Sequence, residues 1–265
     1  SQTVTGVQTC ALPIYHRGGN AYHVLVLDGT NASNISAGTV LDGLTVTGGR
    51  AESVAGSPVG GGLYCKGAGS GNECSPSLES VTLEGNFALR GGAIFADASD
   101  QGTVKATMAD LTVRGNAARF VGGGLHNNAG DQRNGGTASP TLSNTRFAQN
   151  AAGVDAGAIM NESQGGEARP TLTELTVENN TAERFGAGMV TAAYWGGTAN
   201  PEITDSHFSG NGMANSNVKG GALEIFAFRP DANATASTAS PTVEGTDFSN
   251  NSAKVGGAIF IRGLR

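Results

Sequence analysis

Charged side chains that could form an acid–base pair recur at equivalent places in a repeated segment. Cleavage of a glycosidic bond needs two such groups, usually carboxylates, on one surface. Glu84 is followed one segment later by Arg114, and His207 is followed one segment later by Asp247. The simpler interpretation, which we adopt, is that such pairs are exposed cross-strand contacts of small energetic value. The charges concerned are Glu84, Arg114, Arg146, Glu178, His207 and Asp247.

No signature of a carbohydrate-cleaving enzyme accompanies these charges. Asp-Asp and Gly-His-Gly sequences, which are typical of pectin-degrading β-helix enzymes, do not occur, and an Asp-rich calcium loop is also missing from the sequence. We therefore predict no catalytic residues, no metal and no cofactor, and we favour a non-enzymatic function. A carbohydrate-active enzyme or a glycan-binding module is the alternative hypothesis.

Four side chains are candidates for binding. His126 and Glu224 each follow a glycine-rich turn at a position expected to face outward, where neighbouring aromatic residues could stack on sugar rings or lie beneath loops. Tyr194 and Trp195 begin a glycine-rich loop and include the only tryptophan of the chain. Exposed Trp and Tyr are enriched at interaction sites, although anchoring of the loop is the other use of this pair.

Two cysteines flank a short loop. Cys65 and Cys74 lie on either side of residues 66–73, so a disulfide would close this loop and would suit an oxidising compartment. A zinc site is a poor alternative, because two cysteines without a nearby histidine do not complete a ligand set. Cys10 is left over in this scheme.

A turn motif related to Gly-Gly-Ala-Ile recurs 31 to 36 residues apart and divides the chain into units. Upstream of each turn lies a Pro-Thr-Leu-like strand, then an apolar strand, and then an asparagine. Asn tolerates a left-handed backbone, and stacked Asn side chains can each donate to the next. The predicted Asn column is Asn86, Asn116, Asn150, Asn180, Asn211 and Asn251. The turns begin at Gly60, Gly91, Gly122, Ala156, Ala187, Gly220 and Gly256.

Each unit reads as three short strands that cannot bury their apolar side alone, whereas stacked units can. The sequence therefore predicts an all-β fold, a single-stranded right-handed parallel β-helix of about seven coils. Neighbouring core positions support this interpretation, because Thr145 and Ser206 are small where Phe147 and Phe208 lie two residues further along.

Composition excludes several classes of protein. With 16 Lys and Arg against 22 Asp and Glu, the net charge of −6 argues against binding to nucleic acid. No apolar run is long enough to span a membrane as a helix. Residues 1–15 fit none of the repeats, and we interpret them as a non-native or disordered leader. Residues 16–265 are then one β-helix domain, which we expect to be truncated at both ends.

The paired Gly-Gly-Ala-Ile and Phe-x-x-Asn motifs resemble the repeats of polymorphic outer-membrane proteins, most closely at residues 147–150, 208–211 and 248–251. Residues 39–49 are similar to the first coil of secreted β-helix proteins that carry anchor domains. The resemblance implies a bacterial cell-surface or secreted scaffold, extracellular or on the outer membrane, that presents loops for adhesion. The implied partner is a glycan or a host-cell ligand. We expect a monomer.

Overall fold

The computed structural model describes residues 21–31, 33–52, 58–130, 134–212, 219–229 and 235–264. Every regular element in these ranges is a β-strand, and every strand pair is parallel. The stack makes about six turns, close to the seven coils predicted from the motifs. The predicted parallel β-helix is therefore confirmed. The leader at residues 1–15, including Cys10, lies outside the described residues.

Five parallel sheets run along the stack. Sheet A contains β1 (Leu25–Asp28), β5 (Leu63–Lys66), β9 (Ile94–Asp97), β14 (Leu125–Asn128), β19 (Ile159–Gln164), β24 (Met189–Tyr194), β28 (Leu223–Phe228) and β31 (Ile259–Leu264). Sheet B contains β10 (Thr103–Val104), β15 (Thr137–Ala138), β20 (Glu167–Ala168) and β25 (Thr198–Ala199). Sheet C contains β2 (Val40–Asp42), β6 (Ser77–Glu79), β11 (Thr107–Ala109), β16 (Thr141–Ser143), β21 (Thr171–Thr173), β26 (Glu202–Thr204) and β29 (Thr242–Glu244). Sheet D contains β3 (Thr45–Thr47), β7 (Thr82–Glu84), β12 (Thr112–Arg114), β17 (Arg146–Ala148), β22 (Thr176–Glu178), β27 (His207–Ser209) and β30 (Asp247–Ser249). Sheet E contains β4 (Arg50–Ala51), β8 (Phe87–Arg90), β13 (Ala117–Val121), β18 (Ala151–Ala152) and β23 (Thr181–Ala182).

The three predicted strands of a coil correspond to sheets A, C and D. Sheets B and E add strands that are often only two residues long. Elsewhere in the coil, single residues with positive φ bend the chain sharply between two strands. Ser80 (φ 52°) and Asn144 (φ 43°) make such corners between sheets C and D. The core lies inside these sheets and is aliphatic with two fully buried phenylalanines, Phe147 and Phe208.

The asparagine column lies at the corner that follows sheet D. In its central part Asn116 donates from Nδ2 to Oδ1 of Asn150 (3.0 Å), and Asn150 donates in turn to Asn180 (3.0 Å). Each Nδ2 also donates to a carbonyl one coil earlier, as Asn150 does to Val113 (2.9 Å). The left-handed residue at this corner is not the Asn of the column, as the sequence suggested, but the residue before it, for example Gln149 (φ 55°).

One turn is displaced by a residue from its predicted place. A turn that began at Ala187 would give Val190 the inward position of sheet A, but Met189 pairs with Ile159 and Leu223 in that column. The turn therefore begins at Gly186 (φ 51°) rather than at Ala187, because the first residue of each turn has a positive φ, which glycine adopts without strain. Val190, not Thr191, faces outward in this coil, and Thr191 points into the core.

Candidate functional site

The outer face of sheet A, with the residues that border it, runs along the stack, and we call this surface the outer groove. One wall is a ladder of residues that precede the glycine turns, in the order Val59, Arg90, Val121, Asp155, Phe185, Lys219 and Val255. The floor has two columns of outward side chains, because alternate residues of a strand share a face. The first column is Tyr64, Phe95, His126, Met160, Val190, Glu224 and Phe260. The second column is Lys66, Asp97, Asn128, Glu162, Ala192, Phe226 and Arg262.

An open cleft of about 430 Å³ lies at the amino-terminal half of the outer groove. Strands β5, β9, β14 and β19 provide its floor, and Arg90 lies on the rim. None of the four predicted binding residues lines this cleft. Its lining residues are Pro58, Val59, Tyr64, Arg90, Phe95, Asp97, Ser99, Asn128, Gly130 and Gln164.

The carboxylate of Asp97 is held in one position by three donors. The hydroxyl of Tyr64 donates to Oδ2 (3.1 Å), while the amide N–H of Ser99 (3.1 Å) and Nδ2 of Asn128 (3.2 Å) donate to Oδ1. Burial, together with the charge of Asp97, raises the pKa of the Tyr64 hydroxyl well above its usual value. The polar floor of the cleft is therefore pre-organised.

His126 is buried and pairs with the carboxylate of Glu162. Its Nε2 lies 2.9 Å from Oε2 of Glu162, and Gln164 donates to the other carboxylate oxygen (2.7 Å). Burial alone would raise the pKa of Glu162, but the hydrogen bond and charge of His126, with smaller effects of Gln164 and Arg90, bring that pKa below its usual value. The ring of His126 packs edge-on against Phe95, with 4.9 Å between centroids.

Two further ion pairs lie in the carboxyl-terminal half of the groove. Arg184 contacts both oxygens of Asp155 (3.0 and 2.7 Å), and Arg262 donates to Oε1 of Glu224 (2.8 Å). Arg262 also lies over the rings of Phe185 and Phe226. Burial raises the pKa of Glu224 to about 7, and the nearby Asp155 adds to this effect, whereas Arg262 opposes it.

The four predicted binding residues do not form one site. His126 and Glu224 share a column but are separated by Met160 and Val190, and both are completely buried. Tyr194 is half-buried, and its ring packs edge-on against Phe226 and Phe228 in a small apolar cluster. Trp195 follows at the turn with φ 54°. This arrangement fits anchoring of the loop better than a shared binding surface.

Cys65 and Cys74 are joined by a disulfide, with both side chains buried. On the outer face of sheet D, Arg114 pairs with Glu84 and Arg146 pairs with Glu178, at 2.7 Å from each Nε to a carboxylate oxygen. Within the described ranges, no three His, Cys, Asp or Glu side chains are grouped so that they could hold a metal ion. Over the same part of the chain, no helix has the length and apolar character needed to cross a membrane.

The polar residues of sheet A at the cleft were missed because only the first outward column was considered. Asp97, Asn128 and Glu162 each lie two residues after a column-one residue, so the period-2 alternation of a strand would have identified the second column. Arg90 could not have been found in this way, because it belongs to sheet E and reaches the groove only through the corner between the sheets.

Comparison with known proteins adds one match. Residues 245–262 match the repeat of the Chlamydia polymorphic membrane protein family. This segment contains β30 and the glycine turn before β31, together with Phe248 and Asn251. The chain is a parallel β-helix repeat protein that resembles the polymorphic outer-membrane proteins. No curated protein and no solved structure matches it. The match thus covers β30, the glycine turn and the start of β31, and the other coils repeat this arrangement.

Proposed function

We propose that this protein is a noncatalytic scaffold of the bacterial cell surface that recognises an extracellular ligand with the outer groove. The observation that carries this proposal is the contrast between the paired ionisable side chains of the groove and the open cleft beside them. Buried carboxylates are paired with bases, as Glu162 is with His126 and Asp155 with Arg184, whereas the cleft beside them is open and has a cation at its rim. Paired, buried groups hold a surface in shape, and an open polar cleft can receive a ligand.

Two observations support a surface location. The repeat at residues 245–262 matches a family named for a membrane protein, and Cys65 and Cys74 form a disulfide, which persists in oxidising surroundings outside the cytoplasm. The long stack also suits display, because each coil contacts only its neighbours and side loops can vary without disturbing the core.

The test measures adhesion and turnover together. Beads coated with the full chain are applied to epithelial cells and to immobilised polysaccharides, while the soluble chain is incubated with the same polysaccharides and reducing or unsaturated ends are counted. We expect adhesion without cleavage. Release of new polysaccharide ends would show that the protein is an enzyme and not a noncatalytic scaffold. Beads that adhere to no surface would contradict the proposal that the protein recognises an extracellular ligand.

A second candidate, a carbohydrate-active enzyme, is favoured by Glu224 alone. A general acid needs a carboxyl group whose pKa is raised toward neutrality, and burial gives Glu224 such a pKa, about 7. However, its side chain is completely buried. If turnover is found, its loss in Glu224→Gln would assign the acid, whereas retained turnover would place the chemistry elsewhere.

A further inference from the structure

We propose that the cleft on the outer groove binds a short neutral oligosaccharide, with Arg90 and Asn128 as the main contacts. This inference rests on the proposed function, because it names the class of ligand that the groove would recognise. It is carried by the size of the cleft, by the polar groups left available there, by the local charge and by the absence of an open strand edge along the described floor.

The cleft has the dimensions of a small-molecule site. Its volume of about 430 Å³ falls in the range in which proteins bind ligands of modest size. Its floor crosses four neighbouring strands of sheet A, from β5 to β19, and strands lie about 4.8 Å apart. The cleft is therefore elongated along the stack, a shape that suits a short linear oligomer better than a compact ligand.

Both hydrogen-bond donors and hydrogen-bond acceptors are available to a ligand in the cleft. The guanidinium of Arg90 is exposed and makes no hydrogen bond or ion pair within the described chain, so its donors point to solvent. Asn128 uses its Nδ2 on Asp97, which leaves its carbonyl oxygen as an acceptor. Among the described residues, Oδ2 of Asp97 accepts from Tyr64 alone. Planar groups with two adjacent polar atoms match neighbouring hydroxyls, which both donate and accept.

The local charge disfavours an ionised ligand. Asp97 and Glu162 place two carboxylates beside the cleft, and they face the Arg90 guanidinium and the His126 imidazole. An anionic ligand drawn to Arg90 would meet the two carboxylates, and a cationic ligand would meet Arg90 on entry. A neutral, hydroxyl-rich ligand avoids both penalties and still uses every polar group.

A peptide is a weaker fit, because a peptide usually adds a strand to an open sheet edge or inserts apolar side chains. Strands β5 to β19 are each paired on both sides, so the floor of the cleft has no free backbone edge. The rings on the floor, Tyr64 and Phe95, pack edge-on at 5.9 Å and are nearly buried, so they offer a narrow apolar ledge rather than deep pockets.

The experiment is isothermal titration calorimetry of the full chain with defined sugars. The probes are cello-, xylo-, malto- and chito-oligosaccharides of low chain length, with oligogalacturonides as the charged comparison. We expect at least one neutral series to bind and the oligogalacturonides to bind more weakly. Arg90→Ala and Asn128→Ala should each weaken binding at least tenfold. Arg114→Ala, which removes an exposed arginine on sheet D, is the matched control and should leave binding unchanged.

Each other result overturns the inference. The inference fails if none of the neutral sugars binds, or if oligogalacturonides bind more tightly than the neutral sugars. It also fails if the protein captures peptides instead of sugars, or if Arg90→Ala leaves the affinity intact. Arg90 is exposed, so its variant is expected to fold, and circular dichroism of both variants checks this. If beads still adhere to cells while no sugar binds, the oligosaccharide inference fails and the scaffold function stands.

Discussion

The ring of Phe147 fills the space that a side chain at Gly124 would occupy. A Cβ at Gly124 would lie 2.9 Å from Cδ1 of Phe147, closer than such atoms approach in proteins. Gly124 lies in the glycine turn that begins a coil, and Phe147 lies in sheet D of the same coil. The two residues therefore pack across the core. Gly188 and Phe208 repeat the relationship, with a Cβ-to-Cδ1 separation of 3.2 Å.

Gly124→Ala should therefore destabilise the protein. Overpacking of a close-packed core costs about 1–3 kcal/mol, and we expect a loss in that range by chemical denaturation. The change should cost less when Phe147→Val is present, because valine lacks the ring atoms Cδ1 and Cε1 that would lie 2.9 and 3.2 Å from the added Cβ. Strictly additive effects in this double-mutant cycle would show that the two residues do not compete for space.

Asn150→Ala should be among the most damaging single changes in the stack. It removes the acceptor for the backbone N–H and Nδ2 of Asn116 and the donor to the carbonyl of Val113, all of them buried. Each buried polar group left without a partner costs about 1–3 kcal/mol, so we expect a total loss of about 3 kcal/mol or more. Asn200→Ala, at an exposed hydrogen bond to Ser240, is the control and should cost less than about 1 kcal/mol. Similar losses at both positions would contradict a special role for the column.

Thr191→Val should increase stability. The hydroxyl of Thr191 points into the core and, within the described residues, has no hydrogen-bond partner. Valine has the same shape without the polar atom, so removing it should raise the free energy of unfolding by about 1 kcal/mol. Thr181→Val, on the exposed side of sheet E, should change stability by less than about 0.5 kcal/mol. A decrease at Thr191 would mean that its hydroxyl has a partner inside the core, such as a bound water.

The buried Glu224 should make stability fall as the pH rises. Its pKa is raised from the usual 4.5 to about 7 by burial, so between these values the unfolded chain releases this proton while the folded protein retains it. The unfolded state then binds fewer protons, and the free energy of unfolding decreases across that interval. The loss is on the order of 3–4 kcal/mol, because the two pKa values differ by about 2.5 and each unit corresponds to about 1.4 kcal/mol.

Glu224→Gln keeps the shape of the side chain but removes this titration. The free energy of unfolding of the variant minus that of the parent should therefore increase from pH 5 to pH 8. Glu84→Gln, in an exposed ion pair with Arg114, should show a small difference at every pH. Parallel stability curves for the parent and Glu224→Gln would contradict a raised pKa.

Much of the fold could be predicted, because vertical stacking repeats the same contact in each coil. The Asn column and the inward position of sheet A were read from recurring residue types, and the register error at Gly186 arose where Gly-Ala-Gly-Met obscured the pattern. The binding candidates Tyr194 and Trp195 were chosen for their residue types and their place at the start of a glycine-rich loop. Neither feature reveals that the ring of Tyr194 packs into an apolar cluster.

The amino-acid sequence by itself determined the coil, its spacing and the column that each repeated residue joins, since the period of the repeats dictates which residues stack. Only the tertiary structure decided which columns of neighbouring sheets lie side by side. Arg90 in sheet E and Gln164 in sheet A line the same cleft although they are far apart in sequence. That meeting depends on the angles of the corners between sheets and on how many residues each strand contributes, and neither follows from the spacing of the motifs.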